Sequence, residues 1–250
     1  MFSWQAGLIT LLVVQHLSIT AFSIYAHRGM GHHLFIFKPM LAHAFRFWLW
    51  FASGHCWPNW QQHYAAKHRK HHKYSDSELD PHSPFRYTFA QMFDVSHDDS
   101  TRANYISLDE IKLYAPDIVS PTDWINSNLY QPYPKLGMGI LWAIFTALFG
   151  VAGFAFGALN YFYVGDFFIF VGNYAFHKFG FTYAKNPGED KSKILCPLGL
   201  FLAGEELHAH HHADDTNPCF SRHWWEIDLG WIYCRVLLFI GLMKLTNYSK

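Results

Sequence analysis

The stretch Lys67–His82, KHRKHHKYSDSELDPH, decides how the rest of the chain is interpreted. It holds the four histidines His68, His71, His72 and His82 together with three acidic residues. In a helix, residues three and four apart share a face, so His68 lies on the same face as His71 and His72. Adjacent residues differ by about 100° around the helix axis, so His71 and His72 can point toward two different centres. The HxxHH spacing therefore predicts a helix whose imidazoles serve two metal ions.

Three further segments carry histidines near helix ends. HRGMGHH places His27 and His32 five apart, NYAFH places Asn173 four residues before His177, and GEELHAHHH repeats the HxxHH spacing. The nine imidazoles at these positions belong to His27, His32, His68, His71, His72, His177, His208, His211 and His212. This number suits two ions with four or five ligands each, and imidazole favours iron, copper, zinc or nickel over magnesium or calcium. Each group alone is also compatible with an ordinary interfacial or solvated histidine, but their joint occurrence favours a metal centre.

The composition indicates a membrane protein. The 250 residues have a formal net charge of zero, which gives no reason to expect nucleic-acid binding. Hydrophobic residues make up 51% and charged residues 15%, against about 25% charged residues in a typical soluble domain. The four cysteines are scattered without a CxxC pair, which argues against a disulfide framework or a thiolate metal site. They fit a reducing location that faces the cytosol.

Two apolar regions predict the membrane spans. Trp4–Ile24 has no charged side chain and is close to the ~20 residues that cross a bilayer core. Leu136–Phe176 has Asp166 as its only charge and is about twice that length, so it predicts a hairpin with a turn near the glycines between Gly150 and Gly157. The predicted spans are therefore residues 4–26, 136–154 and 157–177.

The remaining segments predict surface structure. Residues 34–57 are apolar but interrupted by Lys38, His43 and Arg46, which favours an interfacial helix. Leu229–Leu245 is too short and interrupted to cross, and predicts an amphipathic surface helix. The fold class is thus a single-domain, all-α membrane protein of about three transmembrane helices. A helical cap at 58–135 and 178–250 would carry the dimetal site.

The distribution of basic residues predicts the topology. Both polar regions that carry histidine clusters are rich in Lys and Arg, so both are expected on the cytoplasmic side together with the C-terminus. With a single leading span, Met1 would lie on the opposite side.

These motifs resemble the integral-membrane fatty acyl desaturases of the stearoyl-CoA (delta-9) type, whose three histidine boxes read HxxxxH, HxxHH and HxxHH. The stretch HRKHHKYSDSELDPHSP looks like the second box followed by the family's Asp-Pro-His, here Asp80 to His82. NYAFHKFG is similar to the Asn-x-x-x-His of the last span, and GEELHAHHH with the later WWEID looks like the third box and its tail. The resemblance runs from about Ile9 to Leu245.

The resemblance implies two iron ions, O2 as a co-substrate, and a double bond introduced into the acyl chain of an acyl-CoA or acyl-lipid. It implies that the nine histidines are ligands and that Asn173 holds a metal through water. It also implies an external electron donor of ferredoxin, rubredoxin or cytochrome b5 type with its reductase, and placement among membrane lipid, here in a bacterial inner membrane. An unactivated methylene offers no acidic proton or leaving group, so a cofactor must carry the difficult step. Carboxylates expected to orient the imidazoles are Asp76, Asp80, Glu205, Glu206 and Asp228.

Several departures from the family pattern limit this inference. The family usually has two spans before the first box, where this chain has room for one. His33 stands where a second arginine is expected, and His210 replaces the asparagine of the third box, as a further ligand or a hydrogen-bond donor. After Asp-Pro-His the segment FRYTFAQMFDVSH lacks the family's His-x-Gly-Trp, so the acyl carrier stays open.

Two other functions remain alternatives at this point. A hydroxylase or other lipid or hydrocarbon oxidase on the same di-iron platform would share all of the ligands. A histidine-rich metal transporter would need metal-binding residues inside the spans, where the sequence offers only His16 and Asp166.

Overall fold

The computed structural model describes residues 2–92, 106–164, 171–183, 186 and 188–247. Helices make up most of them, as predicted. The α-helices are α1 (Trp4–Ala21), α2 (Pro39–Ser53), α3 (Trp60–Tyr74), α4 (Leu108–Tyr114), α5 (Leu136–Leu159), α6 (Phe176–Lys178), α7 (His208–Ala213) and α8 (Leu229–Phe239). Segments of π-helix lie at Phe22–Gly31, Asn126–Tyr130, Asn160–Val164 and Val171–Ala175, and a 3-10 turn lies at Glu205–Leu207.

Two small sheets correct the prediction of an all-α protein. Their strands are β1 (Phe35–Phe37), β2 (Leu198–Gly199), β3 (Ile227–Asp228) and β4 (Met243–Leu245). Strand β1 pairs antiparallel with β4, and β2 pairs parallel with β3. The predicted helix over Leu229–Leu245 is wrong in its last third. Gly241 adopts a left-handed φ of 68°, which ends the helix and turns the chain into β4.

The first apolar helix is longer than the predicted span. Helix α1 and the π-helical segment after it form one continuous run, Trp4–Gly31, of 28 residues. At ~1.5 Å per residue this run is about 42 Å long and exceeds a bilayer core of ~30 Å. Because it continues beyond residue 26, it carries His27 into the polar end of the molecule.

Helix α5 folds back on itself at Gly150. This glycine has a φ of 62° and a ψ of −136°, which is not helical. The Trp142 indole N–H donates to the Phe154 carbonyl over 3.0 Å, so the two halves run antiparallel. A side chain at Gly153 would overlap the Phe145 carbonyl, which explains why a glycine lies in this tight contact. The first half therefore ends at Gly150 rather than at residue 154.

Two helices of the described residues, Trp4–Gly31 and Leu136–Phe162, are long and apolar enough to cross a membrane. The fold-back at Gly150 makes the second of them a hairpin. The third predicted span, 157–177, includes residues 165–170, which lie outside the described residues. Met1, whose side of the membrane is predicted above, and the transporter candidate Asp166 lie outside them as well.

Helix α2 packs along α1 instead of standing alone at a surface. The Trp48 indole N–H donates to the Ser18 hydroxyl over 3.2 Å. Asn160 joins three segments, because it donates to the Ala52 carbonyl at 3.0 Å and accepts from the Gln15 amide at 2.7 Å. The apolar core beside this contact consists of Leu11, Val14, Ala52, Leu141, Phe145 and Phe149. The region predicted as one interfacial helix, 34–57, is therefore β1 followed by α2.

Candidate metal centre

Four separated segments bring the nine predicted histidines together at the polar end of α1. The π-helical segment after α1 and the residue following it carry His27 and His32, and α6 carries His177. The two HxxHH motifs lie on α3 and α7. The imidazoles separate into two groups of five and four.

The five-histidine group consists of His27, His32, His68, His72 and His211, whose candidate ligand atoms all lie within 4.8 Å of one another. The Nε2 atom of His211 lies 3.0 Å from that of His27 and 3.0 Å from that of His72. The Nε2 atoms of His32 and His68 are 2.7 Å apart. The nitrogens of this group therefore face a common centre.

The four-histidine group consists of His71, His177, His208 and His212, again within 4.8 Å. The Nε2 atoms of His177 and His208 lie 3.1 Å apart. The two groups meet where the rings of His72 and His212 stack with centroids 4.2 Å apart. The arrangement is thus a pair of adjacent sites.

Each HxxHH helix contributes to both groups in the way that helical geometry requires. On α3, His68 and His72 share a face and enter the five-histidine group, while His71 enters the other. On α7 the assignment is reversed, since His211 enters the five-histidine group. His208 and His212 enter the four-histidine group.

Four carboxylates, three of them buried, orient four of the rings through Nδ1. The distance between Nδ1 and the carboxylate oxygen is 2.6 Å for His27 with Glu205 and 2.9 Å for His71 with Asp80. It is 2.9 Å for His177 with Asp76 and 3.3 Å for His212 with Asp190. A proton held on Nδ1 by a carboxylate leaves Nε2 as the lone-pair nitrogen and makes it more basic. In His27 and His177 that Nε2 faces the centre of its group.

These carboxylates are themselves fixed by donors from several segments. Asp80 accepts from its neighbours' backbone, at 2.8 Å from the Asp76 amide and 2.9 Å from the His82 amide. Asp76 accepts from the Ser83 hydroxyl and the Lys191 amide, both at 2.8 Å. The orientation of these imidazoles is therefore built into the surrounding loops.

Glu205 accepts from the Ser23 hydroxyl at 2.5 Å and pairs with Arg28 at 3.3 Å. Arg28 is fully buried and also pairs with Asp228 at 3.0 Å. Asp228 thus acts on the site through Arg28 and touches none of the nine rings in the described contacts. Glu206 accepts from the amides of Phe201 and Leu202 and organises the loop before α7.

Burial sets the protonation of the imidazoles. Desolvation, followed by neighbouring imidazoles, lowers the pKa well below its usual value for the rings of His32, His68, His72, His208, His211 and His212. At neutral pH these rings are uncharged, which is the form that binds metal. Burial also lowers the pKa of His71, but the charge of Asp80 outweighs it and the net pKa is raised.

The pKa values of three of the orienting carboxylates are lowered as well, by their charged and hydrogen-bonding neighbours. Burial alone would raise the pKa of Asp80, but the charge and hydrogen bond of His71 outweigh it and hold the pKa well below its usual value. In Asp76, the effect of His177 outweighs burial and lowers the pKa. In Glu205, His27 and Arg28 together outweigh burial and lower the pKa in the same way. All three carboxylates are therefore ionised at neutral pH.

The residues present fit two metal ions of first-row type. His212 Nε2, on the side of the ring away from Asp190, is buried without a hydrogen-bond partner in the described part of the chain. With metal–nitrogen bonds of about 2.1 Å, neighbouring ligands of an octahedral ion lie about 3.0 Å apart, close to the nitrogen separations in both groups. The donors are neutral nitrogens, which suit iron, copper, zinc or nickel.

The comparisons with known proteins agree on one chemistry. No protein-family model matches the chain. It is 30% identical over 258 residues to "Delta-9 desaturase-like 1 protein" of Arabidopsis thaliana, across 96% of this chain and 76% of that protein. It is 29% identical over 250 residues to "sn-1 stearoyl-lipid 9-desaturase" of Synechocystis sp., across 97% and 72%. It is 26% identical over 246 residues to "Acyl-CoA 5-desaturase AL21" of Anemone leveillei, across 96% and 71%.

The chain belongs to the fatty acyl desaturase family. The desaturase is therefore an oxidoreductase, and its family implies a lipid or acyl substrate. This membership leaves the metal-transporter hypothesis without support. In the described contacts, His16 pairs with the Tyr233 hydroxyl at 3.0 Å.

Two residues of the desaturase site were not predicted from the sequence. Asp190 contacts His212 in space, although along the sequence it lies in a loop outside every histidine motif. The His82 ring lies 4.2 Å from that of His71, and its Nδ1 is buried with no hydrogen-bond partner among the described residues. The Asp-Pro-His motif was the available signal for His82.

The positions that depart from the family pattern lie outside both groups. His33 pairs with Asp117 at 2.5 Å, and His210 pairs with Glu226 at 2.8 Å. Asn173 lies in the π-helical segment Val171–Ala175, one turn before His177, and is half-buried. Its role as a water-mediated ligand stays a prediction.

Proposed function

We propose that this desaturase is a di-iron, O2-dependent membrane enzyme that introduces a double bond into the acyl chain of an acyl-CoA or acyl-lipid, at the delta-9 position. The observation that carries the proposal is the convergence of nine imidazoles from four segments into two adjacent groups. The names of the relatives support acyl substrates of both carrier types, and two of the three name a delta-9 or 9-desaturase.

Iron suits this donor set and this reaction. Imidazole binds iron, copper, zinc and nickel, but zinc has no redox chemistry, while removing two hydrogens from a methylene is an oxidation. When bound, a pair of iron ions supplies the redox chemistry with O2 and two external electrons. The proposed ligands are the nine histidines, with Asn173 through water.

The contribution of the protein is to hold and orient. Glu205, Asp80 and Asp76 fix the Nδ1 protons of three rings, and in His27 and His177 the Nε2 atom thereby points inward before any substrate arrives. Most of the nine rings are buried, which excludes bulk water from the reacting region. The acyl chain would have to lie beside this pair in a fixed position, because chain position selects the bond that is oxidised.

The proposed topology has three spans in a bacterial inner membrane, with the histidines and the C-terminus in the cytoplasm and Met1 on the other side. The Phe2 amide donates to the Leu148 carbonyl at 2.8 Å, which supports a common side for the start of α1 and the Gly150 turn. His27 lies at the opposite end of that helix. Electrons would come from a ferredoxin, rubredoxin or cytochrome b5 type donor and its reductase at the cytoplasmic side.

Product analysis tests the activity directly. The gene is expressed in a host that lacks desaturase activity, and fatty acids are identified by gas chromatography and mass spectrometry with and without oxygen. A new cis double bond, formed only with oxygen, is expected at carbon 9. A hydroxylated product would instead establish the oxidase alternative, and an unchanged lipid profile with iron-loaded protein would oppose the proposal.

Topology is tested separately by a reporter at Met1. A periplasmic signal is expected for three spans, with a reporter at the C-terminus giving a cytoplasmic signal as the matched control. A cytoplasmic signal at both ends would contradict the odd number of spans without affecting the metal assignment.

A further inference from the structure

A third cluster of metal-binding side chains lies outside both histidine groups. It consists of His210 on the side of α7 turned away from them, and of His223 and Glu226 in the segment before β3. We call these three residues the outer group. Their candidate ligand atoms lie within 4.8 Å of one another. We propose that the outer group binds one further divalent transition-metal ion, of the Zn²⁺ class, separate from the paired site.

The geometry of the outer group matches a metal site. His210 Nε2 lies 2.8 Å from Glu226 Oε1. With bonds of about 2.1 Å, two neighbouring ligands of one ion are about 3.4 Å apart in tetrahedral and about 3.0 Å apart in six-coordinate geometry, so the two side chains need to move apart by only a few tenths of an ångström to hold an ion. The same range of separations, 2.7 to 3.1 Å, occurs among the Nε2 atoms of the two histidine groups.

Glu226 is held in place as an oriented ligand. It is buried, and its Oε2 atom accepts from the Arg222 amide at 2.7 Å and the His223 amide at 3.0 Å. Both bonds use one oxygen and leave Oε1 directed at His210.

Aromatic side chains fix both imidazoles. The ring of Trp225 stacks on His223 at 4.5 Å with an interplanar angle of 2°. The ring of Tyr183 stacks on His210 at 5.7 Å and meets His223 edge-on at 4.8 Å. Two rings locked in this way lose little side-chain entropy when they bind an ion.

A simple histidine–carboxylate hydrogen bond is the competing explanation. The pair of His33 and Asp117 is such a case, at 2.5 Å. In the described residues no metal-binding group includes that pair, whereas the outer group has a second imidazole within reach. The second imidazole is what the experiment removes.

The donor set selects the ion. Two neutral nitrogens and one carboxylate, with remaining positions open to water, suit zinc, iron(II), nickel or cobalt and are poor for magnesium and calcium. His210 and His223 are both partly exposed, so an ion can enter from solvent. Bound there, it would tie α7, which carries ligands of both histidine groups, to the segment before β3.

The test counts two metals in the same protein. Iron-loaded enzyme in detergent is incubated with Zn²⁺, desalted and analysed for both elements by mass spectrometry. Wild type is expected to gain one zinc per chain without losing iron. His223→Ala and Glu226→Gln are expected to take up less than a tenth of that zinc, and Glu226→Gln keeps the shape of the side chain if His223→Ala disturbs folding.

His63→Ala is the matched control, because His63 on α3 belongs to none of the three groups. Its zinc uptake should equal that of wild type. Quenching of tryptophan fluorescence by Ni²⁺ is a second readout, because Trp225 lies on His223. Wild type without extra zinc, or zinc that both variants retain in full and that is therefore adventitious, would overturn the proposal. Because zinc is read separately from iron and activity, failure of the di-iron assignment gives a different result.

Discussion

The five-histidine and four-histidine groups share helices α3 and α7 but are supported differently. Among the described contacts, three of the four rings in the smaller group have a carboxylate within 3.5 Å of Nδ1, at Asp80, Asp76 and Asp190. In the larger group only one of the five rings, His27, has such a carboxylate among the described contacts, which is Glu205. Fewer nitrogens with more anionic support give stronger donors and leave a coordination position open. The smaller group is therefore expected to be the more sensitive to loss of its carboxylates.

The largest expected effect comes from removing one ligand of each group. His71→Ala in the smaller group and His211→Ala in the larger should each lower turnover by at least about a hundredfold, because neither half of a paired site works alone. Iron per chain should fall below that of wild type. His63→Ala should keep both values, and all three proteins should insert into the membrane. Full activity in either ligand variant would contradict the paired site.

Neutralising the orienting carboxylates should have the next largest effect. Asp80→Asn and Glu205→Gln keep the size of the side chain but remove the charge behind His71 and His27, and such changes typically cost about 10- to 100-fold in metal affinity. Iron retained during a chelator challenge measures this, and Mössbauer spectra of ⁵⁷Fe distinguish the two environments. Asp80→Asn should release the iron of the smaller group first. Asp109→Asn, an exposed residue paired with Lys112, is the control. If both variants released iron equally from the two histidine groups, the proposed difference in carboxylate support between the groups would be contradicted.

Asn173→Ala tests the open position of the smaller group. If the amide holds a water ligand near His177, turnover should fall by about tenfold while most of the iron stays bound, because the imidazoles are intact. Steady-state turnover and iron content are measured together. Asn128→Ala, at an exposed amide that contacts the Trp124 carbonyl, should match wild type. Unchanged turnover in Asn173→Ala would show that the water-mediated role is wrong.

The smallest contrast is between two outlying aspartates. Asp190 is 3.3 Å from His212 and nearly buried, while Asp215 is 3.8 Å from His32 and about half exposed. Asp190→Asn should weaken iron retention several-fold, whereas Asp215→Asn should stay within about twofold, because exposed charge pairs contribute little. The reverse order would mean that proximity to the smaller group does not determine the effect.

The sequence predicted the local part of this arrangement well. The spacing His68, His71, His72 defines helix faces, and the faces decide which centre each ring can reach. Asp80 was also predicted as an orienting carboxylate, and it lies only nine residues from His71, which it contacts. These features depend on short separations along the chain, which helical geometry fixes without knowledge of the fold.

Contacts between distant segments could not be predicted in the same way. The pairing of β1 with β4 joins the first and last quarters of the chain, and Asn160 joins α1 to α2 through Gln15 and Ala52. Asp190 carries no motif that marks it as the partner of His212. Such contacts arise from the packing of whole helices. In a single sequence the residues that make them have no motif that distinguishes them from other polar residues.

Arg28 connects parts of the chain that are made at very different times during translation. Its guanidinium donates to the Pro218 carbonyl at 3.0 Å and pairs with Asp228, two hundred residues later. A nascent chain that still lacks Asp228 would leave this buried cation with Glu205 as its remaining carboxylate in the described contacts, and a buried charge with an incomplete set of partners costs free energy. The buried polar network beside the histidine groups is therefore expected to be complete only after residue 228 has been made.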